Sequence, residues 1–195
     1  MKPKALTDDD YKQTAKDLQC EPALIKAFAE VESSGYGFWQ FYGDDWRPKI
    51  LFEALWFHRL TNGVYDKSHP KISSPIWDKS LYLYGKKEYD RLDEACVLNR
   101  EAGLQSASWG KFQIMGFNYS LCGYSKLQDF INDMYRDEQG HLKAFTGFIK
   151  AKPSLLKAVQ NGDFSKMALY YNGESAVPIY SRKLSDAYKA FKESV

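Results

Sequence analysis

The chain has 195 residues, 44% of them hydrophobic, which is ample for one buried core and sets the expectation of a single domain over residues 1–195. Its formal net charge is only +2, and nucleic acid is not expected among its partners. No stretch approaches the roughly eighteen apolar residues of a membrane helix, and Met1-Lys2-Pro3-Lys4-Ala5-Leu6 lacks an apolar signal core, which excludes a membrane span and a signal peptide from the expected features.

Thr7 followed by Asp8, Asp9 and Asp10 predicts a helix start, with an amphipathic helix to about Leu18. A second helix is predicted from Pro22, a favoured first-turn residue, to Glu32, where Ser33-Ser34-Gly35 stops it. The aromatic and β-branched runs 38–42 and 49–53, separated by a polar loop that contains Gly43 and Pro48, predict a small β-hairpin. Helix is predicted over 54–61, then a long surface loop over 62–77. Beyond it only helices are predicted, over 86–101, 109–116, 125–138, 139–150, 153–160, 163–171 and 177–192. The fold class is therefore mostly α, in α+β form, with one small β element after the second helix.

Aromatic residues make up 16% of the chain, including 14 Tyr and 5 Trp, a content that suits a sugar-stacking cleft and equally a ring-rich core. Residues 141–195 hold nine Lys/Arg against four Asp/Glu, so the basic part of the chain is C-terminal. That region is read either as a patch for an anionic outer-membrane surface or as an ordinary solvated helix face. Cys20, Cys96 and Cys122 are too few and too far apart for a disulfide framework or a metal knuckle and are expected as reduced core residues. His58, His69 and His141 show no metal-ligand spacing, so neither a metal nor a cofactor is expected.

On the second helix Leu24, Ala27, Phe28 and Val31 form an apolar stripe, and Glu32 stands at its edge, whereas Glu30 projects from the far side. A carboxyl at an apolar border and at the negative end of a helix has its pKa pushed upward by both causes. A general acid for glycoside cleavage needs such a carboxyl. The spacing alone equally fits a residue that closes its turn with Ser33 or Ser34. Ser108 is placed to cap an apolar helix, and Gly110 to let backbone approach a ligand. Tyr171, Asn172 and Gly173 end the helix that starts at Asp163. A second carboxylate, as base or nucleophile, is open among Asp44, Asp45, Glu53 and Glu101, with Asp45 and Glu53 foremost. Each of these carboxylates also fits a turn or a salt bridge, with Arg47 or Arg100 as partner.

Val31-Glu32-Ser33-Ser34-Gly35 resembles the Glu-Ser-x-Gly signature of goose-type lysozymes and lytic transglycosylases. Trp109-Gly110-Lys111-Phe112-Gln113-Ile114 resembles their Gly-x-x-Gln-Ile segment, and Ala168-Leu169-Tyr170-Tyr171-Asn172-Gly173 their Ala-x-Tyr-Asn-x-Gly segment. More closely, the chain is similar to the phage-type N-acetylmuramidase family of the lysozyme-like superfamily. Four ordered blocks carry that likeness: the stretch ending at Phe38, residues 47–53, residues 107–116, and Tyr171-Asn172-Gly173.

The resemblance implies Glu32 as the catalytic acid, with Gln113, Tyr171, Asn172, Ser108 and Trp109 as substrate-binding residues. Trp39 and Trp46 are further expected sugar contacts. It implies hydrolysis of the β-1,4 bond between N-acetylmuramic acid and N-acetylglucosamine in peptidoglycan. Lysis by a monomer that waits in the host cytoplasm and acts on the periplasmic wall follows as the expected setting. The competing readings are a lytic transglycosylase that leaves anhydro ends and a non-catalytic wall-binding module.

Overall fold

A computed structural model describes residues 1–193; Ser194 and Val195, the last two of the expected domain, lie outside the described residues. Helix α1 (Asp8–Leu18) begins where the acidic run predicts. Thr7 Oγ1 accepts from the Asp10 N–H, and the Asp10 carboxylate accepts from the Thr7 N–H in return. Pro22 opens α2 (Pro22–Ser33), and Ser34 and Gly35, both at positive φ, end it. The buried face of α2 is wider than the predicted stripe: Ile25 and Ala29 join Leu24, Ala27 and Phe28 below 4% exposure, because α2 is enclosed on several sides. Around Phe28 gather Phe112, Phe145, Phe148 and Tyr171, ring against ring at 4.3–5.6 Å.

The β region differs from the predicted hairpin. Strand β1 (Phe38–Gln40) pairs antiparallel with β2 (Trp46–Pro48), whereas β3 (Ile50–Phe52) pairs with β4 (Ala107–Trp109), which in turn pairs with β5 (Ile114–Met115). Lys49 is the point of exchange. Its N–H donates to Gly37 O in the first sheet at 2.7 Å, and its carbonyl accepts from the Gly110 N–H in the second at 2.7 Å. Pro48 faces Phe38 at a non-hydrogen-bonded position of the first ladder, so its missing N–H costs that ladder no bond.

The helix predicted over 109–116 is instead the β4–β5 hairpin, so Ser108 is a strand residue and caps no helix. Gly110 and Gln113 at φ +72° and +46° turn the chain. A Cβ on Gly110 would lie 2.8 Å from the His141 ring, so the close approach this glycine permits is to His141 and not to a ligand. His141 is buried in its neutral form, its pKa lowered to about 4 by desolvation. Its Nδ1 accepts from the Lys111 N–H at 3.1 Å, which assigns the proton to Nε2, beside Met134 O at 2.8 Å.

The helix predicted over 86–101 is two, α4 (Glu88–Leu98) and α5 (Arg100–Gln105). Asn99 leaves the helical region between them and caps the second through the Ala102 N–H. Helices α3 (Ala54–Leu60), α6 (Leu127–Arg136), α7 (Glu138–Ala151), α8 (Pro153–Gln160), α9 (Phe164–Asn172) and α10 (Val177–Glu193) fall within a few residues of expectation. One buried cluster runs from Tyr11 to Leu184, with α10 packed along α2 and α9.

A buried ion pair fastens the segment after α2. Lys111 Nζ reaches Glu138 at 2.7 Å and Gly35 O at 2.6 Å, while Glu138 also accepts from the Gly37 and Leu6 N–H groups. The three cysteines are unpaired, with Cys122 buried and the others half-buried. No described helix is long and apolar enough to cross a membrane.

Candidate active site

Glu32 lies in the last turn of α2 at the floor of a groove between the β4–β5 hairpin and the α9–α10 corner. Its Oε1 accepts a very short hydrogen bond from the Tyr180 hydroxyl of α10 and a longer one, 3.4 Å, from Asn172 Nδ2 at the end of α9. Burial pushes its pKa up to about 7, while the two hydrogen bonds act in the opposite direction because they favour the anion. The carboxyl thus exchanges its proton near neutrality, as a group that donates a proton at one step and recovers it at the next requires.

Two hollows meet at Glu32 and share Leu51 and Gln113. The larger, about 620 Å³, is bordered by Glu53, Trp56, Ser108, Phe117, Lys152 and Tyr171. The smaller, about 280 Å³, is bordered by Trp39, Lys49, Tyr84 and Gly85. A continuous trough on both sides of one acid suits a polymer that passes through and is cut internally.

Gln113 is held rigidly at the centre. Its Oε1 accepts from the Ser108 hydroxyl at 2.7 Å, and its Nε2 donates to Gly110 O at 2.8 Å and to Lys49 O at 3.2 Å. The Tyr171 hydroxyl is likewise used inside the protein, donating to Phe112 O at 2.6 Å, and its ring stacks on that of Tyr180 at 6.3 Å and 12°. Glu53, just before α3, shares the larger hollow with Glu32. It accepts from the Tyr82 hydroxyl at 2.7 Å, and burial raises its pKa.

Glu32, Glu53, Ser108, Gln113, Tyr171 and Asn172 therefore come together, and Trp39 borders the same trough. Five other candidates do not join them. Trp109 is 1% exposed and spends its indole N–H on Leu104 O at 3.0 Å, so it packs the core under the hairpin. Asp45 is exposed in the β1–β2 turn and pairs with Arg47 at 2.9 Å. Trp46 packs edge-on to Tyr36, away from the trough. Asp44 and Glu101 are exposed and border neither hollow.

Tyr180, Trp56, Tyr84 and Lys152 were not legible as site residues. Only the aromatic excess pointed to such groups, and it did not say which rings. Tyr180 reaches Glu32 across 148 residues of sequence, a separation for which no local pattern exists.

A mostly helical domain with small antiparallel sheets and a desolvated carboxyl over an open trough defines a lysozyme-type glycoside hydrolase. Residues 21–192 match the N-acetylmuramidase family, and the chain belongs to that family. Its substrate is accordingly peptidoglycan. Among solved structures it is similar to the crystal structure of a Burkholderia AP3 phage endolysin, with 32% sequence identity and a TM-score of 0.84. The match covers 99% of this chain and 73% of that one. Comparison with curated protein sequences gave no match.

Proposed function

We propose that this chain is a phage-type endolysin that hydrolyses the β-1,4 bond between N-acetylmuramic acid and N-acetylglucosamine, with Glu32 as the general acid. The observation that carries the reading is the Glu32 carboxyl, desolvated to a pKa of about 7 and oriented by Tyr180 and Asn172 where the two hollows meet. Protonated, it hands its proton to the leaving glycosidic oxygen; Gln113, Ser108, Tyr171 and Asn172 shape the wall that holds the sugars. Glu53 is the second carboxylate of this reading, because it alone of the four candidates borders the hollow that contains Glu32.

The substitution Glu32→Gln keeps the shape of the side chain and removes the titrating proton. On purified cell walls it should lower the rate by at least about 10²-fold, with the far-UV circular dichroism of the parent. Mass spectrometry of the digest should find reducing muramic acid ends, since anhydro ends would mean attack by the muramyl 6-hydroxyl. Retained lysis by a folded variant removes Glu32 from this role. No lysis by the parent itself would favour a wall-binding module.

In the biological setting we propose, a monomer waits in the host cytoplasm and reaches the periplasmic wall at lysis. The basic C-terminal helices then face the anionic outer-membrane surface. Lys183 and Lys189 on α10 are both exposed and fit this orientation.

A further inference from the structure

Tyr84 adopts φ 55° and ψ 154°, a backbone region that only glycine occupies without strain. The strain is imposed by a buried clamp. The N–H groups of Leu83 and Tyr84 both donate to Glu88 Oε1, at 2.7 and 2.8 Å. Glu88 Oε2 accepts from the Phe52 N–H at 3.2 Å and pairs with Arg91 at 3.0 Å, and Arg91 donates in turn to Phe52 O at 2.8 Å. Glu88 is 0% and Arg91 4% exposed. The bend at Tyr84 is thereby locked to β3, the strand that supplies Leu51 to both hollows.

The Tyr84 ring is not buried in return, being 52% exposed. It borders the smaller hollow with Trp39 and Lys49, and it leans on Tyr82 at 5.6 Å, the residue that holds Glu53. A glycine at this position would form the same bend without strain. What the tyrosine adds is an exposed ring at the border of the smaller hollow, carried on a backbone tied to the strand beside the acid.

We propose that Tyr84, with Trp39, forms a sugar-stacking subsite that grips the glycan strand beyond the residue next to Glu32, so that long strands are bound better than short ones. The inference rests on the muramidase reading, because the ligand it names is that enzyme's glycan. The apolar face of an N-acetylhexosamine lies flat on an aromatic ring, and a tyrosine has only two side-chain torsions to fix on binding. Tyr84 is a binding residue in this proposal and takes no part in the proton transfer.

The test compares the parent with Tyr84→Gly, Tyr84→Phe and Trp39→Ala on long wall glycan and on a short muropeptide oligomer too small to span the trough. Tyr84→Gly should melt at least about 2 °C higher, since the strain is relieved. Its KM for long strands should rise about tenfold with kcat within about twofold, and its kinetics on the short oligomer should match the parent. Tyr84→Phe should behave as the parent, and Trp39→Ala should also raise the KM for long strands. An unchanged KM for long strands in Tyr84→Gly, or an equal loss on both substrates, overturns the subsite. A parent inactive on both substrates overturns the muramidase reading itself and the subsite with it, which separates the two failures.

Discussion

The hydroxyl of Tyr180, on the last helix, donates to the carboxylate of Glu32, on the second, across 148 residues of chain. A hydrogen bond to the anion lowers the pKa of the acid, so its removal leaves desolvation less opposed. Tyr180→Phe should therefore move the alkaline limb of the kcat/KM profile to higher pH. The plateau rate should fall about tenfold, the loss of one positioning hydrogen bond. A profile that keeps its midpoint, or moves to lower pH, would show that this contact does not govern Glu32.

The same carboxyl makes stability depend on pH. The folded pKa of about 7 lies above the ordinary 4.5, so between these values the folded protein holds a proton that the unfolded chain has released. Stability from this group is complete below pH 4.5 and falls as pH rises to about 7, by about 3 kcal/mol in all. Glu32→Gln should thus match the parent in thermal unfolding at pH 4 and exceed it at pH 8. The gap should be several degrees in Tm. Equal gaps at both pH values would contradict the assignment of a desolvated, titrating acid.

The two foremost second carboxylates part company in the structure. Asp45→Asn breaks an exposed pair with Arg47 and should change wall lysis by less than about twofold and stability by less than about 1 kcal/mol. Glu53→Gln removes the second ionisable group of the larger hollow and should reduce kcat by about 10²-fold or more. Parallel turbidity assays on permeabilised cells distinguish them, and the reverse ranking would return Asp45 to the site.

Much of this was legible because it is local. Caps and terminators mark where α1 and α2 begin and end, and the apolar stripe of α2 puts Glu32 at a border whatever lies opposite. The groove walls were harder to read. Residues 109–116 hold apolar side chains close enough for either period, and a run this short does not separate helix from strand. The sheet pairing depends on Lys49, whose two backbone bonds point to Gly37 and to Gly110, and no feature of residues 38–53 reveals the second partner. Trp109 carried a family motif but was read one layer too far out: it supports the turn that holds Gln113.

A prediction follows for Trp109. Trp109→Phe loses the bond to Leu104 O and some packed volume, and should cost about 1–3 kcal/mol in denaturant unfolding. The KM for wall glycan should stay within about twofold of the parent. A large rise in KM at undiminished stability would mean that the indole meets the sugar after all.

The central claim is that Glu32 keeps its proton until about neutrality. Carboxyl carbon NMR of protein labelled at glutamate, with Glu32→Gln to assign the resonance, follows that single titration directly. A midpoint near 7 is the result this account predicts. A midpoint near the ordinary 4.5 would contradict it.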